Sequence, residues 1–233
     1  MKVILLALLV AALVLSGPAG CSKGEKTEPA QSSGTADTTG QSPAAAMYNY
    51  DSLATIRYPV RDEKNQCVTL VTDMGSMTLE LYRDVAPAHA DSFVARTKEG
   101  FYDSTIFHRV IDHFMIQGGD PTGTGGGRAP YLLQAEFSDL PHEEGTLSMA
   151  RSMDPNSASC QFFICLERNQ KTAYLDGKYT VFGHLLKGFD VLHRIGSVEC
   201  IANPGNPREL SKPKKDVYLI RAFLSDAEGN ELE

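Results

Sequence analysis

From Cys67 onward, Gly, Pro and Asp/Asn-containing turns cut the chain into apolar runs that are mostly too short for a helix, and this punctuation restricts it to a β-rich fold. Cys67-Val68-Thr69-Leu70-Val71-Thr72 is β-branched and strand-like, Asp73-Met74-Gly75-Ser76 reads as a turn, and Met77-Thr78-Leu79-Glu80-Leu81 alternates apolar and polar residues. Together they predict a hairpin. Two stretches have helical texture. Pro87 suits a first turn, residues 88–97 continue it with Phe93 and Val94 facing inward, and Gly100 stops it. Residues 187–195 form the second, and 217–224 read as a final strand. About eight strands with two helices predict a mainly β fold, a closed eight-stranded barrel capped by two helices.

The N-terminus has a different texture. Lys2 precedes a continuous apolar run over residues 3–15, too short to span a bilayer, and small residues then lead to Ala19-Gly20-Cys21. Residues 1–20 read as a signal peptide. The ending resembles a bacterial lipobox with Pro18 at a position usually aliphatic, so Cys21 is expected to carry lipid and to hold the exported protein at a cell-envelope membrane. The alternative is plain cleavage without lipid. Residues 21–46 are rich in Ser, Thr, Gly, Ala, Pro and Gln with no large apolar side chain, the composition of a flexible tether. Residues 47–65 carry Tyr48, Tyr50, Leu53, Ile56, Tyr58 and Val60 and are expected to pack on the domain, which spans 66–226 and leaves a tail at 227–233.

A formal net charge of −7 argues against nucleic acid, which draws most of its affinity from a basic surface. Of the five cysteines, Cys21 is assigned to lipid. Cys67, Cys160, Cys165 and Cys200 form no CxxC pair, so they are either buried thiols or partners in one or two disulfides. The stretch 123–128, GTGGGR, lacks the Lys-Ser/Thr ending and the strand-to-helix setting of a phosphate loop. His108, His113 and His142 lack metal-ligand spacing, and no metal is expected.

Three stretches hold most of the chemistry: FHRVIDHFMIQGGDP at 107–121, LSMA at 147–150 followed by QFFI at 161–164, and YLDGKYTVFG at 174–183. Strand alternation puts Met115 and Gln117 on one face and Ile116 on the other. It likewise puts Gln161 and Phe163 opposite Phe162 and Ile164. One face can line a site while the other fills a core; taken alone, the aromatic and Met residues read first as core, their commoner use, and second as pocket wall. Arg109, a cation in an apolar run, is either a catalytic donor or the partner of a carboxylate such as Asp112.

In order and spacing these motifs resemble the cyclophilin family of peptidyl-prolyl cis-trans isomerases across about residues 66–225. The resemblance implies a cyclophilin-like barrel acting on proline-containing polypeptide segments without a cofactor. It implies Arg109 as the catalytic residue and Phe114, Met115, Phe163 and Leu175 as the proline pocket. Gln117 would hold the substrate carbonyl and orient Arg109, Ala150 and Arg151 would meet substrate through main-chain groups, and Gln161, Tyr174 and Tyr179 would complete the binding surface. Tyr174, Tyr179 and Arg151 stand where well-studied members carry Trp, His and Asn. A monomer is expected. Two function classes remain open: an isomerase, or a module that binds proline segments without turnover.

Overall fold

Strands Cys67–Thr72 (β1) and Gly75–Leu81 (β2) pair in register as the expected hairpin, with Thr72 opposite Gly75 at the turn. The structure is a computed structural model that describes residues 66–233; residues 1–20, read as a signal peptide, Cys21, residues 21–46, read as a tether, and the 47–65 segment lie outside the described residues. Beyond the hairpin follow helix Pro87–Lys98 (α1), strands Thr105–Ile106 (β3), Arg109–Ile111 (β4), Met115–Gly118 (β5), Thr146–Met149 (β6) and Phe162–Cys165 (β7), and helix Gln170–Ala173 (α2). The chain ends with strand Val181–Lys187 (β8), helix Phe189–Gly196 (α3), and strands Cys200–Asn203 (β9), Asn206–Pro213 (β10) and Tyr218–Ser225 (β11).

Nine strands form one antiparallel sheet in the order β3-β11-β1-β2-β8-β6-β7-β5-β4, and β9 and β10 make a separate two-stranded ribbon. The fold is mainly β with few helices, but it differs in count and closure from the expected eight strands in a closed barrel. The edge strands β3 and β4 share no ladder. Only Phe107 and His108 separate them, and the three steps from Ile106 to Arg109 span at most about 11 Å, so the sheet curls far enough to bring the end of one edge strand near the start of the other. The strands there are short: β3 has two residues and pairs with β11, and β4 has three and pairs with β5.

The curled sheet encloses a core that includes Val68, Leu70, Met77, Leu79, Phe107, Phe162 and Phe182, with Phe93 of α1 pressed into it. Without Trp, aromatic edges do the filling: Phe93 meets Phe162 at 5.3 Å between centroids and 88° between planes. Helix α1 begins at Pro87 as expected, and Glu136 accepts hydrogen bonds from the free N–H groups of Ala88 and His89 at its start. Helix α3 starts two residues later than the sequence suggests, because Lys187 completes β8 and Gly188 turns the chain at φ +93°. Helix α2, not anticipated, is a single turn held by a reciprocal cap between Asn169 and Thr172. The residues read as a tail fold back instead: Leu232 N–H donates to the Leu224 carbonyl at 2.9 Å and Ala227 is buried.

Candidate active site

Arg109 on β4 stands opposite Gln117 on β5, Gln117 opposite Phe163 on β7, and Phe163 opposite Ser148 on β6. Directly opposed residues share a face, so these four form a row across the sheet with Met115 beside it. The alternate residues Val110, Ile116, Phe162, Ile164 and Leu147 belong to the main core. Met115, Phe163, Cys165 and Leu175 form a second apolar cluster on the other face, with Ile111, Phe114, Ala150 and Tyr179 packed against it. The alternation in the sequence thus separates core from site, as expected.

That second cluster surrounds a cavity of about 190 Å³ lined by Arg109, Phe114, Met115, Gln117, Ala150, Arg151, Phe163, Leu175 and Tyr179. Drug-sized ligands occupy roughly 300–1,000 Å³; this space suits one small apolar ring with its neighbouring peptide groups. Tyr179 sets its ring edge-on to Phe163, 5.9 Å between centroids. Arg151 lies over Tyr179, 4.4 Å from the ring centroid, and its guanidinium donates to the carbonyls of Ser152, Met153 and Lys178. The Arg151 side chain is therefore committed to local structure. Two expected contacts do not line this cavity: Gln161, which lines the adjoining one, and Tyr174, which is exposed at the end of α2 with the Lys178 ammonium 3.5 Å from its ring centroid.

The Arg109 guanidinium is held on two sides. Nε and Nη2 donate to the two carboxylate oxygens of Glu209 on β10, each at 2.8 Å, and Nη1 donates to Gln117 Oε1 at 3.2 Å. The carboxylate partner is thus Glu209 rather than Asp112, which is exposed and accepts from the His113 backbone N–H. The Arg109 guanidinium beside it holds the Glu209 carboxyl at about 2, below its ordinary value. Gln117 Nε2 donates to Gln161 Oε1 at 2.9 Å, and Gln161 Nε2 donates to the carbonyls of Gly125 and Gly127. One polar chain therefore runs from Glu209 to the glycine loop.

That loop borders an adjoining cavity of about 340 Å³, which shares Gln117, Ala150 and Arg151 with the first and adds Leu132, Ser157 and Ser159. Most of its amides are engaged within the loop. Those of Thr122, Thr124, Gly125 and Gly127 donate to the carboxylate of Asp120. Burial pushes the Asp120 carboxyl up, but the hydrogen bonds from Thr122, Gly127 and Gly125 outweigh it and hold it below its usual range. The three histidines lie apart: His108 is buried, His113 is exposed beside Glu167, and His142 is buried beside Asp176. The four described cysteines are free thiols, and Cys160 and Cys165 are fully buried.

Sequence reasoning missed two groups. One is Glu209, a hundred residues from Arg109; the only local hint is Pro204-Gly205, a turn signal that brings β10 back along β9. The other lies beneath the pocket. His142 Nδ1 reaches Asp176 at 3.1 Å and Nε2 reaches Ser148 Oγ at 3.0 Å, while Arg168 adds a 2.8 Å ion pair to Asp176.

Comparison with known proteins identifies the family. Residues 67–222 match the family described as "Cyclophilin type peptidyl-prolyl cis-trans isomerase/CLD". The chain is 47% identical over 170 residues to the peptidyl-prolyl cis-trans isomerase-like 1 of Neurospora crassa, a match covering 70% of this chain and 97% of the relative. It is 39% identical over 164 residues to the Homo sapiens protein of the same name, covering 68% and 92%. A crystal structure of a Cryptosporidium parvum cyclophilin type isomerase, determined in the presence of the dipeptide Ala-Pro, superposes with a TM-score of 0.61 at 32% identity, covering 69% of this chain and 99% of that one.

Proposed function

Because this chain belongs to the cyclophilin family of peptidyl-prolyl cis-trans isomerases, we propose that it accelerates rotation about Xaa-Pro bonds by stabilising the twisted amide with Arg109 above the Phe163 pocket. Resonance makes that rotation cost ~18–20 kcal/mol, and an unaided Xaa-Pro bond takes tens to hundreds of seconds. Catalysis needs no nucleophile; it needs groups that favour the twisted state over both planar ones. As the bond twists, the prolyl nitrogen loses conjugation and its lone pair becomes a hydrogen-bond acceptor. A guanidinium fixed nearby meets that acceptor only then.

The observation that carries this reading is the placement of Arg109 and Gln117 side by side at the wall of a cavity floored by Met115, Phe163 and Leu175. The apolar floor holds the proline ring. Gln117, already donating to Gln161 and accepting from Arg109, is placed to meet the carbonyl that turns. Ala150 and Arg151 line both cavities, and the adjoining cavity beside Gln161 takes the residues preceding proline.

A spectroscopic isomerisation assay on an Xaa-Pro peptide tests the proposal. Acceleration proportional to protein concentration supports it. Saturable binding of the peptide without acceleration would favour a binding module instead.

We further propose that the substrates are exported polypeptides and that a lipid on Cys21 holds the domain at the cell-envelope membrane as a monomer on a tether. The support is sequence alone: the apolar run at 3–15, the small residues before Cys21 and the polar stretch after it.

A further inference from the structure

We propose that Glu209 is a positioning residue for catalysis, supplied by the β9–β10 ribbon, which fixes the guanidinium of Arg109 in the orientation that meets the twisted amide. This rests on the reading of Arg109 as the donor. The ribbon is no part of the nine-stranded sheet, yet Glu209 on it engages Nε and Nη2 of Arg109 together, both at 2.8 Å. Such a side-on, two-bond contact sets the plane of the guanidinium as well as its position.

The carboxylate is itself held. Ser211 Oγ donates to Glu209 Oε1 at 2.6 Å, and Asn203 Nδ2 on the facing strand donates to Ser211 Oγ at 3.0 Å. Ser211 is fully buried, so this support is set in the ribbon rather than borrowed from solvent. The chain Asn203–Ser211–Glu209 thus braces Arg109 from one side while Gln117 braces it from the other.

The arithmetic of donors shows why this arrangement suits a catalyst. A guanidinium carries five N–H groups. Two go to Glu209 and one to Gln117. Two remain, one each on Nη1 and Nη2. A free arginine on a flexible stem would have to be ordered each time a bond twists; a braced one costs no reorganisation at that moment. The Glu209 carboxyl stays ionised throughout the neutral range, since its pairing with Arg109 holds it at about 2.

The test uses the full chain and three variants, Glu209→Ala, Glu209→Gln and Arg109→Ala, with kcat and KM from the isomerisation assay, melting temperature, and the ¹⁵N–¹H signal of Arg109 Nε. Glu209→Ala is expected to lower kcat about tenfold, as loss of orientation does, with KM within twofold. It should also abolish the protected Arg109 Nε–H signal. Glu209→Gln, whose amide oxygen still accepts from Nε, is expected to recover part of kcat and of the signal. Unchanged kcat and an unchanged Nε–H signal in Glu209→Ala, with Arg109→Ala inactive, would overturn the proposal and leave the role of Arg109 standing. A loss that follows melting temperature and is not recovered by Gln, or a gain in kcat, would overturn it too. Full turnover in Arg109→Ala would instead remove the premise.

Discussion

The imidazole of His142 lies nearly parallel to the ring of Phe163, with 5.9 Å between centroids and 14° between planes. His142 is fully buried and is the support on which the pocket floor rests. Its backbone N–H and Nδ1 both point at Asp176 Oδ1, at 2.8 and 3.1 Å, which assigns the Nδ1 proton to that contact. Replacing His142 with Ala removes the stack and leaves Asp176 and Ser148 short of a partner. A loss of about 2–4 kcal/mol in unfolding free energy is expected, the sum of a cavity and an unmade hydrogen bond. Urea unfolding measures it; a change within about 0.5 kcal/mol, the range of inert surface substitutions, would contradict this role.

Acid should erode the same support. Burial opposes ionisation of Asp176, but hydrogen bonds from His142 and Arg168 outweigh it and hold the carboxyl at about 2, below its ordinary 3.8. A carboxyl depressed by folding stabilises the native state fully above its unfolded value, and that contribution disappears as pH falls through the folded value. The contribution is on the order of 1–2 kcal/mol after allowing for partial exposure. Urea midpoints of the protein and of Asp176→Asn should therefore differ most above pH 5 and converge toward pH 2. A gap that stays constant over that window would show that the charge contributes nothing.

The glycine loop offers a steric test. A Cβ on Gly127 would overlap Oδ1 of Asp120 and press on Thr122 Oγ1. Gly127→Ala is expected to break the hydrogen bonds converging on Asp120, costing about 1–3 kcal/mol as overpacking does. Because Gln161 donates to the Gly127 carbonyl, the shift should also raise KM for peptides that reach the adjoining cavity. Dipeptide substrates too short to reach it should be unaffected. Equal effects on both substrates would contradict the division into two cavities.

At the other end of the chain, Cys21→Ser should release the protein from the membrane fraction without altering turnover of the domain. Several acyl chains on one residue anchor firmly where a single chain does so only marginally. Mass spectrometry of the membrane-extracted protein should find an acylated Cys21 at the mature N-terminus. A soluble protein whose distribution ignores the substitution would contradict the anchor.

Much of the site was legible because it depends on alternation and local motifs. The period-two pattern at Met115-Ile116-Gln117 and Gln161-Phe162-Phe163 sorted core from pocket, and a β-strand leaves that pattern little freedom. What was not legible depends on distant contacts. Nothing near Arg109 announces Glu209, since their meeting depends on where the β9–β10 ribbon lies. Leu210, Lys212 and Pro213 pair in a broken register that leaves no clean alternation to read. The two-residue β3 carries too few positions for any period, so the edge of the sheet was hidden for the same reason. The exposure of Tyr174 was not legible either, because motif position says where a residue sits along the chain, not which way its ring turns at the end of α2.

The most direct measurement is the turnover of Arg109→Ala beside its melting temperature. Removing a charge-assisted donor that acts on developing electron density costs ~2.7–4 kcal/mol in the transition state, so kcat/KM should fall a hundredfold or more while peptide binding changes little. Arg109→Lys should recover little, because an ammonium lacks the planar fork that reaches Gln117 and substrate together. Circular dichroism should show the variant folded. A folded Arg109→Ala protein with near-native turnover, or one whose activity falls only as far as its folded fraction does, would contradict the account.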